Sequence, residues 1–148
     1  MVAALGPEAE IWSAPIDATL ADTAAFCGYY HIEQNISANC VIVQAKRAER
    51  TWLAACVILA TTKADVNGAI RRHLDARKIS FAPMDVAVSQ TGMEYGGISP
   101  LGLPADWPIL IDSAVLEQPQ VVIGSGVRHS KICLASDILA ILPGAVVT

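Results

Sequence analysis

Two apolar runs stand out along the chain, residues 40–43 (CVIV) and 53–59 (LAACVIL), with the charged stretch QAKRAER between them. A short run with no polar position alternating through it is the mark of a strand covered on both faces. The pair therefore predicts two buried strands, joined by a polar turn, as a hairpin in the middle of a sheet. Helical spacing occurs elsewhere. Leu20, Ala24 and Cys27 predict a first helix over 18–29, ending near Gly28, with Thr19 or Asp22 as cap. Asp65 can cap a second helix reaching Leu74, with Val66, Ala69, Ile70 and His73 or Leu74 on one side and Arg71, Arg72 and Asp75 on the other. Pro83 and Asp85 open a third, short one through Val88 that stops before Thr91-Gly92. Strands are predicted at 109–111, 120–123 and 131–134, and a last helix at 136–142 with Pro143-Gly144 as its stop signal. Between Thr91 and Pro104 the sequence TGMEYGGISPLGLP reads as a loop. Strands and helices alternate without a regular βαβ repeat, which favours a mixed α+β sheet domain over a doubly wound one. No internal repeat or linker interrupts the chain, so one domain over 1–148 is expected.

Composition narrows this picture. Of the 148 residues 53 % are hydrophobic but only 5 % aromatic, so the core must be built from Ala, Val, Ile and Leu. The longest apolar run, 52–60, falls far short of the roughly 20 residues that span a bilayer. Residues 1–10 lack a basic segment and carry Glu8 and Glu10, which argues against a secretory signal and for a cytoplasmic protein. Cys27, Cys40, Cys56 and Cys133 are widely spaced with no C-x-x-C pair, the pattern of reduced core thiols rather than of disulfides or zinc. The net charge of −4 speaks against a protein that coats nucleic acid through its phosphates. Local basic patches remain at Lys46-Arg47 with Arg50, at Arg71-Arg72 with Arg77-Lys78, and at Arg128-His129 with Lys131; the first two read as solvated surface.

Candidate chemistry gathers in the loop. Glycines at 92, 96, 97 and 102 with prolines at 100 and 104 let the backbone approach a ligand and line a carbonyl oxygen or anion with N–H groups, or else build a tight structural loop. A second turn, Gly124-Ser125-Gly126, leads into Arg128, His129 and Lys131 and suits a phosphate or ribose contact, although no P-loop or dinucleotide fingerprint is spelled. His31, His73 and His129 have no metal spacing, and no metal or organic cofactor is indicated. Asp112, at a strand end, suits the holding of a loop by accepting backbone hydrogen bonds; Ser99 has no triad partner in the sequence, and Cys40 reads as core packing.

The run from Thr91 to Gly102, followed by Pro108-Ile109-Leu110-Ile111-Asp112, is similar to the hallmark "TG…GGisPlG…p…iD" of the YbaK/prolyl-tRNA synthetase-associated editing-domain family. Residues 120–126, 132–134 and 136–139 resemble that family's next strand, glycine turn, strand and "dL" helix, and the upstream elements fall in family order. The resemblance implies an α+β domain with a mixed, mainly antiparallel sheet, partly closed into a barrel and covered by helices. It implies hydrolysis in trans of the ester of a mischarged aminoacyl-tRNA, with a small amino acid such as Ala, Ser or Cys as the group removed. The partner implied is the tRNA acceptor end, with neither DNA nor a membrane involved. By position, Gly96 and Gly97 would supply backbone donors near the oxyanion, and Gly124, Ser125 and Gly126 the facing wall. Thr91, Ser99 and Pro100 belong to the same motif as substrate-binding positions, and Arg128 and Lys131 supply cations for the acceptor end. The chain departs from the family at Ala38-Asn39-Cys40-Val41, where relatives read Val-Lys-Thr/Ser-Leu, so Asn39 stands in place of the functional lysine. An amide can hold a carbonyl or hydroxyl but brings no charge. Either Lys131 enters the pocket from the opposite strand and, with Asn39, replaces that lysine, or it is an exposed strand-end residue. The alternative to an enzyme is a binding module that retains the pocket without turnover.

Overall fold

The computed structural model describes residues 11–21, 27 and 36–148. The expected hairpin forms from β2 (Ala38–Arg47) and β3 (Arg50–Leu59), paired antiparallel from Ala38–Leu59 to Arg47–Arg50. Its strands run through the charged stretch rather than stopping before it. Ala45 points inward and is fully buried while Lys46 and Arg47 face solvent, so the small inward residue keeps the pattern going and the turn shrinks to Ala48-Glu49, with Ala48 at φ 53°.

Around this hairpin a five-stranded sheet assembles in the order β4-β2-β3-β5-β8, with β4 at Lys78–Phe81, β5 at Ile109–Ile111 and β8 at Ala145–Val147. A three-stranded antiparallel sheet, β1-β7-β6, is built from β1 (Ile11–Pro15), β7 (Ser130–Ala135) and β6 (Gln120–Gly124). The pairings are antiparallel except β3–β5 and β5–β8. Closure into a barrel is not seen. Among the described residues the two sheets are linked by one isolated parallel bridge, Ser37–Val122, and the outer strands β4 and β8 meet neither edge of the smaller sheet. The sheets instead face each other across a shared core, an α+β layer arrangement.

That core explains the apolar runs. Ile42, Val57, Leu59, Ile109 and Ile111 of the large sheet pack against Val121, Ile123, Ile132 and Leu134 of the small one, with Leu101, Trp107 and Leu139 filling between. On its other face the large sheet buries Val43, Ala45, Ala54, Cys56 and Leu110 under Ile70 and Leu74. Both faces of β2 and β3 are covered, so neither strand alternates with polar residues.

The cover helix opens with Asp65, whose carboxylate accepts from Gly68 N and Ala69 N, each at 3.0 Å. It makes a π turn over Val66–Ile70 before the α1 segment Arg71–His73. The next helix, α2, runs Met84–Thr91, one turn beyond the expected stop, because Thr91 Oγ1 returns to Ala87 O at 2.7 Å and Gly92 supplies the left-handed cap at φ 70°. Asp112 caps α3 (Ser113–Leu116) by accepting from Ala114 N at 3.0 Å, and α4 spans only Asp137–Ala140 of the predicted 136–142. Of the helix expected over 18–29, a 3-10 turn at Ala18–Leu20, Ala21 after it and residue Cys27 are described; the remainder lies outside the described residues, as do residues 1–10 and His31. No helix among the described residues is long and apolar enough to cross a membrane.

Candidate active site

Where the start of β2, the end of β6, the start of β7 and the loop after α2 converge, they leave a cleft of about 510 Å³. Asn39, Gly96, Gly124 and Lys131 all line it, four positions brought together from four parts of the chain. Sheet pairing fixes two of them opposite each other, since Gly124 and Lys131 are direct neighbours across β6 and β7. Lys131 is half-buried, and both it and Asn39 have interaction partners. It is also the single charged side chain among the described residues that line the cleft. Ala38, Ala60, Ala82 and Ala87 also line it.

The glycines allow two loops to touch through their backbones. Gly126 N donates to Gly97 O at 2.6 Å, and Glu94 N donates to Gly126 O at 2.9 Å. A β-carbon at Gly97 would stand 2.6 Å from Val127 O, and one at Gly124 would stand 2.6 Å from Ile98 O. Either is closer than real side chains come to backbone, so both positions need glycine for proximity rather than for φ. Gly97 is buried behind the cleft and its N–H donates to Glu94 O at 2.9 Å. It therefore joins the loops together and does not offer that donor to a substrate, contrary to the sequence expectation. Gly96, at φ 89°, faces the cleft.

Arg128 also works on the loop. Its Nη1 donates to Tyr95 O and its Nη2 to Ala18 O, both at 3.1 Å, while its backbone N donates to Glu94 Oε1 at 3.0 Å. The guanidinium lies against Gly96, where a β-carbon would collide with Nη1. Arg128 thus braces the loop from behind and is not part of the lining.

Four other predicted positions are structural in the same sense. Thr91 Oγ1 accepts from Met93 N at 3.1 Å, closing the end of α2. Ser99, wholly buried, accepts at Oγ from Leu101 N at 3.1 Å, and Pro100 is buried next to it. Ser125 Oγ is paired with Ser130 Oγ at 2.5 Å across the glycine turn. None of these side chains, nor Gly126, lines the cleft. Phe81 and Tyr95, neither of them among the expected site residues, do line it. The Glu94-Tyr95-Gly96-Gly97 run carried the signal: an aromatic directly before a glycine pair, with no helix or strand to bury it.

Cys40 borders the cleft, yet burial, reinforced by the nearby Cys56 thiol, pushes its own thiol far above the ordinary range, so it is protonated and no nucleophile. Burial raises Cys56 to about 12 and Cys133 in the same direction. All four cysteines are free. Among the described residues no group of His, Cys, Asp and Glu could hold a metal ion. His73 lines a separate cavity of about 260 Å³ behind the large sheet. The first two basic patches are surface features: Arg47 pairs with Asp75 at 3.1 Å, Arg50 stacks 4.6 Å over Trp52, and Arg71 Nε donates to Asn67 O at 3.0 Å.

Solved structures share this architecture. A candidate trans-editing enzyme for prolyl tRNA synthetase superposes with a TM-score of 0.80 over 93 % of this chain and 84 % of its own, at 17 % identity. The hypothetical protein APE2540 does so with a TM-score of 0.82 over 99 % and 93 %, at 20 % identity. At such identities the likeness establishes the fold. The family follows from the sequence itself: residues 17–141 match the aminoacyl-tRNA editing domain family, and the chain belongs to it. Members of that family are aminoacyl-tRNA deacylases, and membership implies binding of aminoacyl-tRNA.

Proposed function

We propose that this protein hydrolyses the ester of a mischarged aminoacyl-tRNA in trans, in the cleft bounded by Asn39, Gly96, Gly124 and Lys131. The observation that carries the reading is the meeting of Asn39 and Lys131 in one cleft of a chain that belongs to the editing family. Water attacks the ester carbonyl carbon. Negative charge grows on the carbonyl oxygen, where the Lys131 ammonium, entering from β7, supplies the positive field that Asn39 cannot. The Asn39 amide donates to the carbonyl or to a ribose hydroxyl. The bond from carbonyl carbon to ribose oxygen then breaks, that oxygen takes up a proton, and a free amino acid and tRNA leave. The group removed is proposed to be a small amino acid such as Ala, Ser or Cys, as the resemblance to the editing family implies. Steric sorting of acyl groups amounts to about 1–3 kcal/mol per methylene.

A deacylation time course with Ala-, Ser-, Cys-, Thr- and Pro-charged tRNAs tests the reading. Expected is ester loss above the buffer rate for at least one small amino acid, with kcat reduced about 10²-fold in Lys131→Ala and in Asn39→Ala, the scale of losing one oxyanion partner. A flat trace for every substrate, with aminoacyl-tRNA still bound, would replace turnover by recognition alone; wild-type rates in Lys131→Ala would remove that residue from the chemistry.

A further inference from the structure

Phe81 and Tyr95 line the cleft and yet are 59 % and 55 % exposed, which puts both rings on its rim. In a chain with few aromatics, two rings flanking one opening are unlike the scattered surface apolar residues found on any protein. Their backbones are fixed. Phe81 ends β4 and pairs with Val43 of β2, and the Tyr95 carbonyl is pinned by Arg128. What is held rigid is the backbone; what is left to solvent is the ring, the arrangement of a preformed platform. The cleft also offers little ionic grip, because Lys131 is its one charged lining residue among those described. A nucleotide brought to this opening needs another source of affinity. Aromatic rings supply it by stacking on a base, which is sequence-tolerant because every base has a π face.

We infer that Phe81 and Tyr95 form the stacking site for the terminal base of the tRNA acceptor end, the base adjoining the ribose that carries the ester. The inference rests on the proposed substrate but not on turnover. With the carbonyl between Asn39, Gly96 and Lys131 inside the cleft, the ribose points to the mouth and the base emerges between the two rings. Recognition is thereby divided: the inner cleft takes the acyl group and the rim takes the nucleoside.

Two non-hydrolysable probes separate these contributions, an alanyl amide on 3′-amino-adenosine and the same amide on an abasic ribose. Calorimetric Kd values are compared for the wild type, Phe81→Ala, Tyr95→Ala, the double variant and Tyr95→Phe. The base should improve affinity about tenfold or more in the wild type. That advantage should fall in each Ala variant, vanish in the double variant and survive in Tyr95→Phe, with unchanged melting temperatures because both rings are exposed. An advantage near one in the wild type, its persistence in the double variant, or no measurable binding of either probe overturns the inference. So does a dimer that the Phe81→Ala change dissociates while the advantage is unaltered, since the rim then belongs to a second copy. Flat deacylation with the base advantage intact would sink the hydrolytic reading and leave this one standing; deacylation with no base advantage would do the reverse.

Discussion

Gly124→Ala adds one methyl group where two backbones already touch. The new β-carbon would lie 2.6 Å from Ile98 O and 2.7 Å from Gly97 O. Comfortable non-bonded contact begins at about 3.5 Å, so the strand and the loop must part by roughly 0.9 Å. Both obstructing atoms are carbonyl oxygens of the main chain, and no side chain can rotate away to make room. Separation also stretches the Gly126–Gly97 hydrogen bond of 2.6 Å and the Glu94–Gly126 bond of 2.9 Å. Overpacking costs about 1–3 kcal/mol and a weakened hydrogen bond about 1 kcal/mol, so about 2–4 kcal/mol of stability should go. At this chain length that corresponds to a drop of roughly 4–16 °C in Tm. The assay is urea unfolding, read as a lower midpoint at constant slope. Gly92→Ala is the comparator: nothing lies within 4 Å of its β-carbon, but its φ is 70°. Its cost is that of the left-handed backbone alone, about 1–2 kcal/mol, and it should retain deacylation because it lies outside the cleft. A wild-type midpoint for Gly124→Ala, or a larger loss in Gly92→Ala, refutes the argument from close approach.

Arg128→Ala removes the donors to Tyr95 O and Ala18 O, and should speed amide exchange over 94–98 while lowering stability by about 1 kcal/mol; Arg128→Lys should not restore protection, because one ammonium cannot span both carbonyls. Unchanged exchange in Arg128→Ala would remove the brace. The buried Cys56 thiol keeps its proton to about 12, whereas an unfolded thiol loses it near 9.0. The folded state therefore binds more protons in that window, and the contribution, fully present below pH 9, falls with rising pH by about 1.4 kcal/mol per unit. Urea midpoints at pH 8, 9.5 and 10.5 should show this decline, shallower in Cys56→Ala; an equal decline in the variant points to other groups. Asp65→Ala leaves Gly68 N and Ala69 N without their carboxylate and should lose about 1 kcal/mol with wild-type deacylation, and a loss near zero would mean that solvent caps the π turn equally well.

The parts of the fold that the sequence disclosed are those where burial acts on both faces or where glycine and proline punctuate. β2, β3, β5, β6 and β7 all sit in the core and keep their apolar runs. β4 escaped notice because it is an edge strand whose KISF segment is mostly exposed, leaving Ile79 as its only partly buried residue. β8 is an edge strand as well, with Val146 and Val147 open to solvent, and α3 is too short for any periodicity to show. The glycine-rich loop was legible as a loop, whereas for Lys131 the sequence left open a place in the pocket with Asn39 or an exposed strand end, and only the fold puts both at the cleft. Which glycine faces that pocket was not legible either, since Gly96 and Gly97 differ only in a backbone rotation that hides one and exposes the other. Arg128 looked like a phosphate contact because its charge is visible in sequence, whereas the carbonyl oxygens that engage it are not.

The contact between the two glycine turns bears on how such a pocket can change over generations. Gly96 and Gly124 present bare main chain to the cleft, and Ala38, Ala60, Ala82 and Ala87 bring only methyl groups to its lining. Substitution cannot remodel a surface that has no side chains, and adding one there forces the loops apart. The alanine positions are open to adjustment instead: enlarging Ala60, Ala82 or Ala87 narrows the chamber while the glycine contact holds its shape. Drift in which acyl group is accepted can then proceed without disturbing the contact between the two glycine turns.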